Sequence, residues 1–225
     1  MGLRERIAFF GQMRANFEDT GAVQPSSRFL ARAMTAPLRR RRARDEATDA
    51  ATAARILEIG PGTGAVTRSI VSAMGPSDEL VCYEINAEFV QILENALRCD
   101  PTLRGAADRI TIHNAPAQEL DNSAPFDFAV CSAPLNNFDA PTIRAILQPM
   151  LGALVPQGTA TLFEYAFFPA LRRALASGPA AQRLADAAAE KSRWLQRHGT
   201  GSVVVLGNLP PARVHELAPD ISTVA

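Results

Sequence analysis

The sequence predicts an open α/β fold: a seven-stranded, mostly parallel sheet with helices on both faces and a carboxyl-terminal antiparallel hairpin. Three observations carry this. Short β-branched runs alternate with stretches of helical periodicity after residue 54. The first run ends in a turn with three glycines in five positions, Gly60-Pro61-Gly62-Thr63-Gly64. The last two runs, 201–207 and 212–217, are joined only by Asn208-Leu209-Pro210-Pro211, a gap too short for a helical crossover, so they pair antiparallel.

In chain order, Arg55-Ile56-Leu57-Glu58-Ile59 reads as a short buried strand and 65–74 as the helix after its turn. Strands follow over 79–85, 109–114, 126–131 and 158–165, with helices over 87–98, 140–154 and 180–197. Breaks fall at Gly75-Pro76-Ser77-Asp78 and Asp121-Asn122-Ser123-Ala124-Pro125. Ahead of this core, "LRERIAFFGQMRANF" (3–17) places Leu3, Ile7, Phe10, Met13 and Phe17 on one helical face, edged by Arg6 and Arg14. Such a helix lies in a membrane interface or docks on its own domain. The organisation expected is an amino-terminal element over 1–44 and a catalytic domain over 45–225.

Composition narrows the function. The 225 residues suit one sizeable domain, and no signal peptide or apolar run near twenty residues is visible, so no bilayer span is expected. The odd number of cysteines (Cys82, Cys99, Cys131), without C-x-x-C spacing, reads as reduced thiols in a cytoplasmic protein with no metal site. His113, His198 and His215 are too scattered in sequence to propose a site. Net charge is zero but uneven. Residues 1–44 hold ten arginines against three acids, net +7, leaving thirteen basic residues against twenty acidic, net −7. A basic arm on an acidic body suits an anionic surface; the run Arg39–Arg44 reads equally as a solvated linker.

The glycine turn is the first chemical signal. Glycines between strand and helix let a ligand lie against bare main chain. No Lys-Ser/Thr pair follows, which excludes a phosphate-cradling P-loop. With Glu58 two residues ahead, the E-x-G-x-G-x-G pattern resembles motif I of class I S-adenosylmethionine-dependent methyltransferases, a Rossmann-like fold. Glu84, twenty residues past Gly64 at a strand end, suits the ribose hydroxyls of an adenosine, and Ile85 its adenine face. The alternative for Glu84 is a helix cap before Asn86-Ala87-Glu88.

Four further segments resemble bacterial phospholipid N-methyltransferases. These are "TGAVQPSSRFLARAM" (20–34), "CSAPLNNF" (131–138), "LFEYAFFP" (162–169) and "NLPPARV" (208–214). The resemblance implies methyl transfer from S-adenosylmethionine to the amine of phosphatidylethanolamine and its methylated derivatives, towards phosphatidylcholine, leaving S-adenosylhomocysteine. It implies an enzyme peripherally bound to the inner leaflet of the cytoplasmic membrane, with no nucleic-acid partner. It assigns Glu58, Gly60, Gly62, Gly64, Glu84, Ile85, Ala117, Gln118 and Ser132 to the cofactor. Ser26, Ser27, Arg28, Pro134, Leu135 and Phe138 are assigned to the substrate, and Asn137 and Tyr165 to the transfer itself. Ala115-Pro116-Ala117-Gln118 stands where the family carries an acid near the adenine, leaving Gln118 or the Ala117 amide for that edge. Ser132 and Ala133 replace a glycine and a leucine of the family loop. Read without the resemblance, Asn137 is a loop cap and Tyr165 a core tyrosine. Trp194 is an interfacial anchor or a packing residue. An RNA adenine N6-methyltransferase and a non-catalytic membrane-binding protein on this fold are the rival readings.

Overall fold

The computed structural model describes residues 27–48, 52–165 and 178–219. The expected helix over 3–17, Ser26 and Pro169 lie outside them. One seven-stranded sheet runs in the order β3-β2-β1-β4-β5-β7-β6. Its strands are β1 (Arg55–Ile59), β2 (Glu79–Tyr83), β3 (Ile110–His113), β4 (Phe126–Cys131), β5 (Leu154–Tyr165), β6 (Gly199–Val205) and β7 (Ala212–Leu217). β1 to β5 pair parallel, while β7 runs antiparallel between β5 and β6. This is the expected sheet, hairpin included.

The helices are α1 (Arg28–Met34), α2 (Ala36–Thr48), α3 (Ala65–Val71), α4 (Ala87–Cys99), α5 (Ala140–Gly152) and α6 (Gly178–His198). Strand side chains alternate between two apolar layers. Ile56, Leu80, Phe128, Val130, Phe163 and Val214 pack under α1, α2 and α3 through Leu30, Met34, Leu38, Val66 and Ile70. Leu57, Val81, Ala129, Cys131, Ala160 and Leu162 pack under α5 through Ile143, Leu147 and Met150, with Trp194 and Leu195 of α6. Both faces of the central strands are covered, which is why those strands read as unbroken apolar runs.

α1 and α2 replace the linker reading of residues 39–44. Ser27 caps α1, its hydroxyl accepting the Leu30 amide at 3.2 Å. Thr161 donates to the Met34 carbonyl at 2.8 Å, pinning the end of α1 to β5. The arginines of α2 turn onto the acidic body: Arg40 meets Glu216 at 2.7 Å, Arg41 meets Asp127 at 3.0 Å, and Arg39 donates to the Ser69 carbonyl at 3.1 Å. Arg42 pairs with Glu46 one turn on, at 3.2 Å. Asp127 and Glu216 lie far away in sequence, so the charge run alone did not disclose them. Among the described residues no helix is long and apolar enough to cross a membrane.

Candidate functional site

The carboxyl edge of the parallel strands gathers most of the expected residues, as open sheets of this type require. β1 ends in the glycine turn, where Gly60, Gly62 and Gly64 have φ of 69°, 57° and 84°. These are left-handed values that other residues adopt only at a cost. Close packing adds to this: a Cβ on Gly60 would lie 3.0 Å from the Ala133 Cβ, and one on Gly64 would lie 2.9 Å from Leu93 Cδ1. Arg68 braces the turn, donating to the Thr63 carbonyl at 3.0 Å and to Asp100 at 2.7 Å.

Two carboxylates serve this turn in different ways. Glu58 is fully buried beneath it. Its oxygens accept the Thr67 hydroxyl and the Ser132 hydroxyl, each at 2.7 Å. Glu58 therefore ties β1 to α3 and to the loop after β4, and both it and Ser132 face inward. Glu84, the residue after β2, is also buried, at 6% exposure. It accepts the Gly62 amide at 3.0 Å on one oxygen and the Asn86 amide at 2.9 Å on the other. The Asn86 side chain itself caps α4, accepting the Glu88 amide at 2.8 Å.

Ile85 beside it is half-buried and Gln118 is exposed. The Ala117 side chain is packed in the core. Bare backbone at β1 and a carboxylate at the end of the neighbouring β2 fit the adenosine and methionine portions of S-adenosylmethionine. The two thiols nearby are inert. Burial pushes the Cys131 thiol up to about 12 and raises Cys82 well above its ordinary range, where Glu58 and Glu84 add to the effect.

The residues expected on the acceptor side lie beyond the ends of β4 and β5. Pro134 leads into a turn of 3-10 helix over Leu135–Asn137, and the Asn137 amide donates to the Pro134 carbonyl at 3.0 Å. Leu135 and Phe138 are buried in the core beneath α5, 1% and 8% exposed. In this arrangement they seat the loop and present almost no surface to an acceptor. Asn137 is half-buried at the edge. Tyr165 ends β5, its ring edge-on to Phe163 at 5.4 Å. Ser27 and Arg28 begin α1; Arg28 is exposed and its guanidinium lies 4.9 Å from the Phe29 ring centre.

One cluster went unforeseen. Glu164 accepts from His215 Nε2 at 3.0 Å and from Lys191, and Lys191 also donates to Asn136 Oδ1 at 2.7 Å. Burial opposes the Glu164 charge, but the His215 hydrogen bond and the Lys191 ammonium outweigh it, and its carboxyl falls to about 2. The histidines stay apart: His215 bonds Glu164, while His113 stacks on Tyr83 and His198 on Trp194. The available signal was a carboxylate inside an apolar strand, Leu162-Phe163-Glu164-Tyr165. Trp194 packs within α6, stacked on His198 and donating to Glu190 at 3.0 Å. Among the described residues no three His, Cys, Asp or Glu side chains converge to hold a metal.

Comparison with known proteins agrees with this geometry. Residues 56–158 match the family described as "Methyltransferase domain". The ubiquinone/menaquinone biosynthesis C-methyltransferase UbiE of Ectopseudomonas mendocina (strain ymp) is 30% identical over 121 residues, 49% of this chain and 41% of that one. The chain thus spans about two fifths of the length of the curated relatives it matches. The O-methyltransferase of Bacillus cereus, solved with SAH, superposes with a TM-score of 0.63 at 13% identity, covering 92% of this chain and 88% of that one. The O-methyltransferase TomG of Streptomyces achromogenes, solved with SAM, gives 0.57 at 16% identity, covering 97% and 100%. Residues 56–158, somewhat under half of the chain, thus resemble a methyltransferase domain, and the solved O-methyltransferases share the fold of this chain.

Proposed function

We propose that the chain is an S-adenosylmethionine-dependent N-methyltransferase that methylates phosphatidylethanolamine and its mono- and dimethyl derivatives towards phosphatidylcholine at an anionic membrane surface. One observation carries this reading. The P-S-S and N-L-P-P-A-R-V elements, which resemble phospholipid N-methyltransferases and lie far apart in sequence, touch: the Ser27 amide donates to Asn208 Oδ1 at 3.1 Å. They meet beside the end of β5, where Ala212 pairs with Tyr165.

When bound, S-adenosylmethionine supplies a methyl group already activated by its sulfonium. The protein is left to align a nitrogen and manage its proton. Nitrogen attacks through a lone pair, so an ammonium headgroup must first lose a proton. Tyr165, at the end of β5, and Asn137, in the turn after β4, hold the amine through their side-chain oxygens, the Tyr165 hydroxyl accepting a hydrogen bond from the ammonium N–H whose proton then passes to solvent. The Tyr165 ring also favours the cationic product. Arg28 is the partner proposed for the lipid phosphate.

The test is transfer of radiolabelled methyl from S-adenosylmethionine into the lipid extract of phosphatidylethanolamine vesicles. Absence of label in mono-, di- or trimethylated lipid overturns the substrate. The identity to a quinone C-methyltransferase supports a second reading, methylation of a quinol ring carbon. A parallel arm with a demethylated quinol decides between them.

A further inference from the structure

We propose that the turn between β6 and β7, together with Phe29, is a lipid-inserting tip that seats the site-bearing edge of the sheet on an anionic bilayer. Leu206 and Leu209 are 77% and 80% exposed, and Phe29 is 49% exposed. Large apolar side chains in such positions lose free energy of hydration unless something covers them. Phe29 lies against the turn that carries the two leucines. A Cβ on Gly207 would come within 2.9 Å of the Phe29 ring, so the turn passes directly under Phe29.

The turn is also braced. Asn208 is buried, accepts the Ser27 amide at 3.1 Å and donates to the Pro210 carbonyl at 2.7 Å. The leucines on either side of it are therefore held outward. Two exposed leucines on the turn and an exposed phenylalanine on the neighbouring helix suit acyl chains at a membrane surface rather than a protein groove.

Charge favours the same occupant. Arg28, Arg32 and Arg213 are exposed around the tip, and among the described residues no carboxylate pairs with any of them. Within α2, by contrast, Arg40, Arg41 and Arg42 each meet an acid of this chain. Basic side chains around an apolar knob complement anionic headgroups. Orientation follows from register. Ala212, just past the turn, pairs with Tyr165, so the tip leaves the sheet at the edge that carries Tyr165 and the glycine turn. Insertion there brings a headgroup to the site without lifting a lipid out of the bilayer. The inference deepens the proposed function and rests on it for the acceptor alone; vesicle binding can be read without any acceptor.

The experiment uses the full chain and vesicles of phosphatidylglycerol and phosphatidylcholine, free of phosphatidylethanolamine. Leu206→Ser/Leu209→Ser is expected to weaken sedimentation with these vesicles by roughly tenfold or more, the worth of two inserted leucines. Affinity for S-adenosylhomocysteine and methylation of monomeric short-chain phosphatidylethanolamine are expected to stay at wild-type level. As a second measurement, Leu209→Trp is expected to gain quenching by brominated lipids. The native Trp194 is the internal reference, one turn before α6 ends at the opposite edge of the sheet. Equal vesicle affinity, or no added quenching, overturns the tip. A wild-type dimer by sedimentation velocity that the double variant loses, with vesicle affinity unchanged, makes the patch a contact between copies and also overturns it. Weakened vesicle binding with no methylation of phosphatidylethanolamine in any form leaves the tip standing and removes the acceptor.

Discussion

The Gly62 amide donates to the carboxylate of Glu84 at 3.0 Å, joining the glycine turn of β1 to the end of β2. Two signals 22 residues apart in sequence thus meet, with bare backbone on one side and a carboxylate on the other. The bond fixes the orientation of the carboxylate against the turn.

Replacement at either end should therefore be felt by the cofactor. Gly62→Val forces a β-branched residue to φ 57° and places methyl groups in the ligand's path. Glu84→Gln keeps the size but removes a charged acceptor, and should weaken S-adenosylhomocysteine binding by roughly 1.5–3 kcal/mol. Isothermal titration checks both; unchanged affinity in Gly62→Val would falsify the site assignment.

Glu58 makes a different prediction because it is fully buried. Thr67→Val and Ser132→Ala each remove one donor to its carboxylate. Each should lower unfolding stability by about 1–3 kcal/mol, and the two losses should not add, since they share one acceptor. Urea denaturation measures this. Ser132 contacts the cofactor directly only if its variant loses S-adenosylhomocysteine affinity that Thr67→Val retains.

Glu164 supplies a pH dependence. Its folded pKa, about 2, lies below its ordinary 4.5. The ionised form therefore stabilises the fold fully above about 4.5, and that contribution fades as pH falls towards 2. Glu164→Gln should cost about 2–3 kcal/mol near neutral pH, where it also leaves Lys191 without its carboxylate partner. The gap between wild type and variant should close progressively in acid. Unfolding midpoints from pH 7 to pH 2.5 test it; a gap independent of pH removes the assigned role.

Tyr165→Phe separates proton handling from packing. The ring keeps its edge-on contact with Phe163, so the fold and cofactor affinity should persist. Proton-handling groups contribute ~10²–10⁴-fold, and turnover should fall by about tenfold or more. Single-turnover methylation of phosphatidylethanolamine vesicles at matched membrane occupancy reads this directly. Equal rates make the hydroxyl structural and move the search to Asn137 and the loop carbonyls.

The sequence by itself determined the β1–turn–α3 unit, the acid at the end of β2 and the final hairpin. Each is encoded locally, by apolar period, by glycines at left-handed φ, or by a linker too short to cross the sheet. Tertiary structure alone decided which way Glu58 faces, because its partner Ser132 lies 74 residues away. The same holds for the cluster of Lys191, Glu164 and His215, whose members are 27 and 51 residues apart, and for α2, where Arg40 and Arg41 reach Glu216 and Asp127. Leu135 and Phe138 carry a loop motif in sequence, yet packing under α5 turned them into the core. Polar and ionic partners of this kind are chosen by which strands become neighbours, and no local pattern records that order.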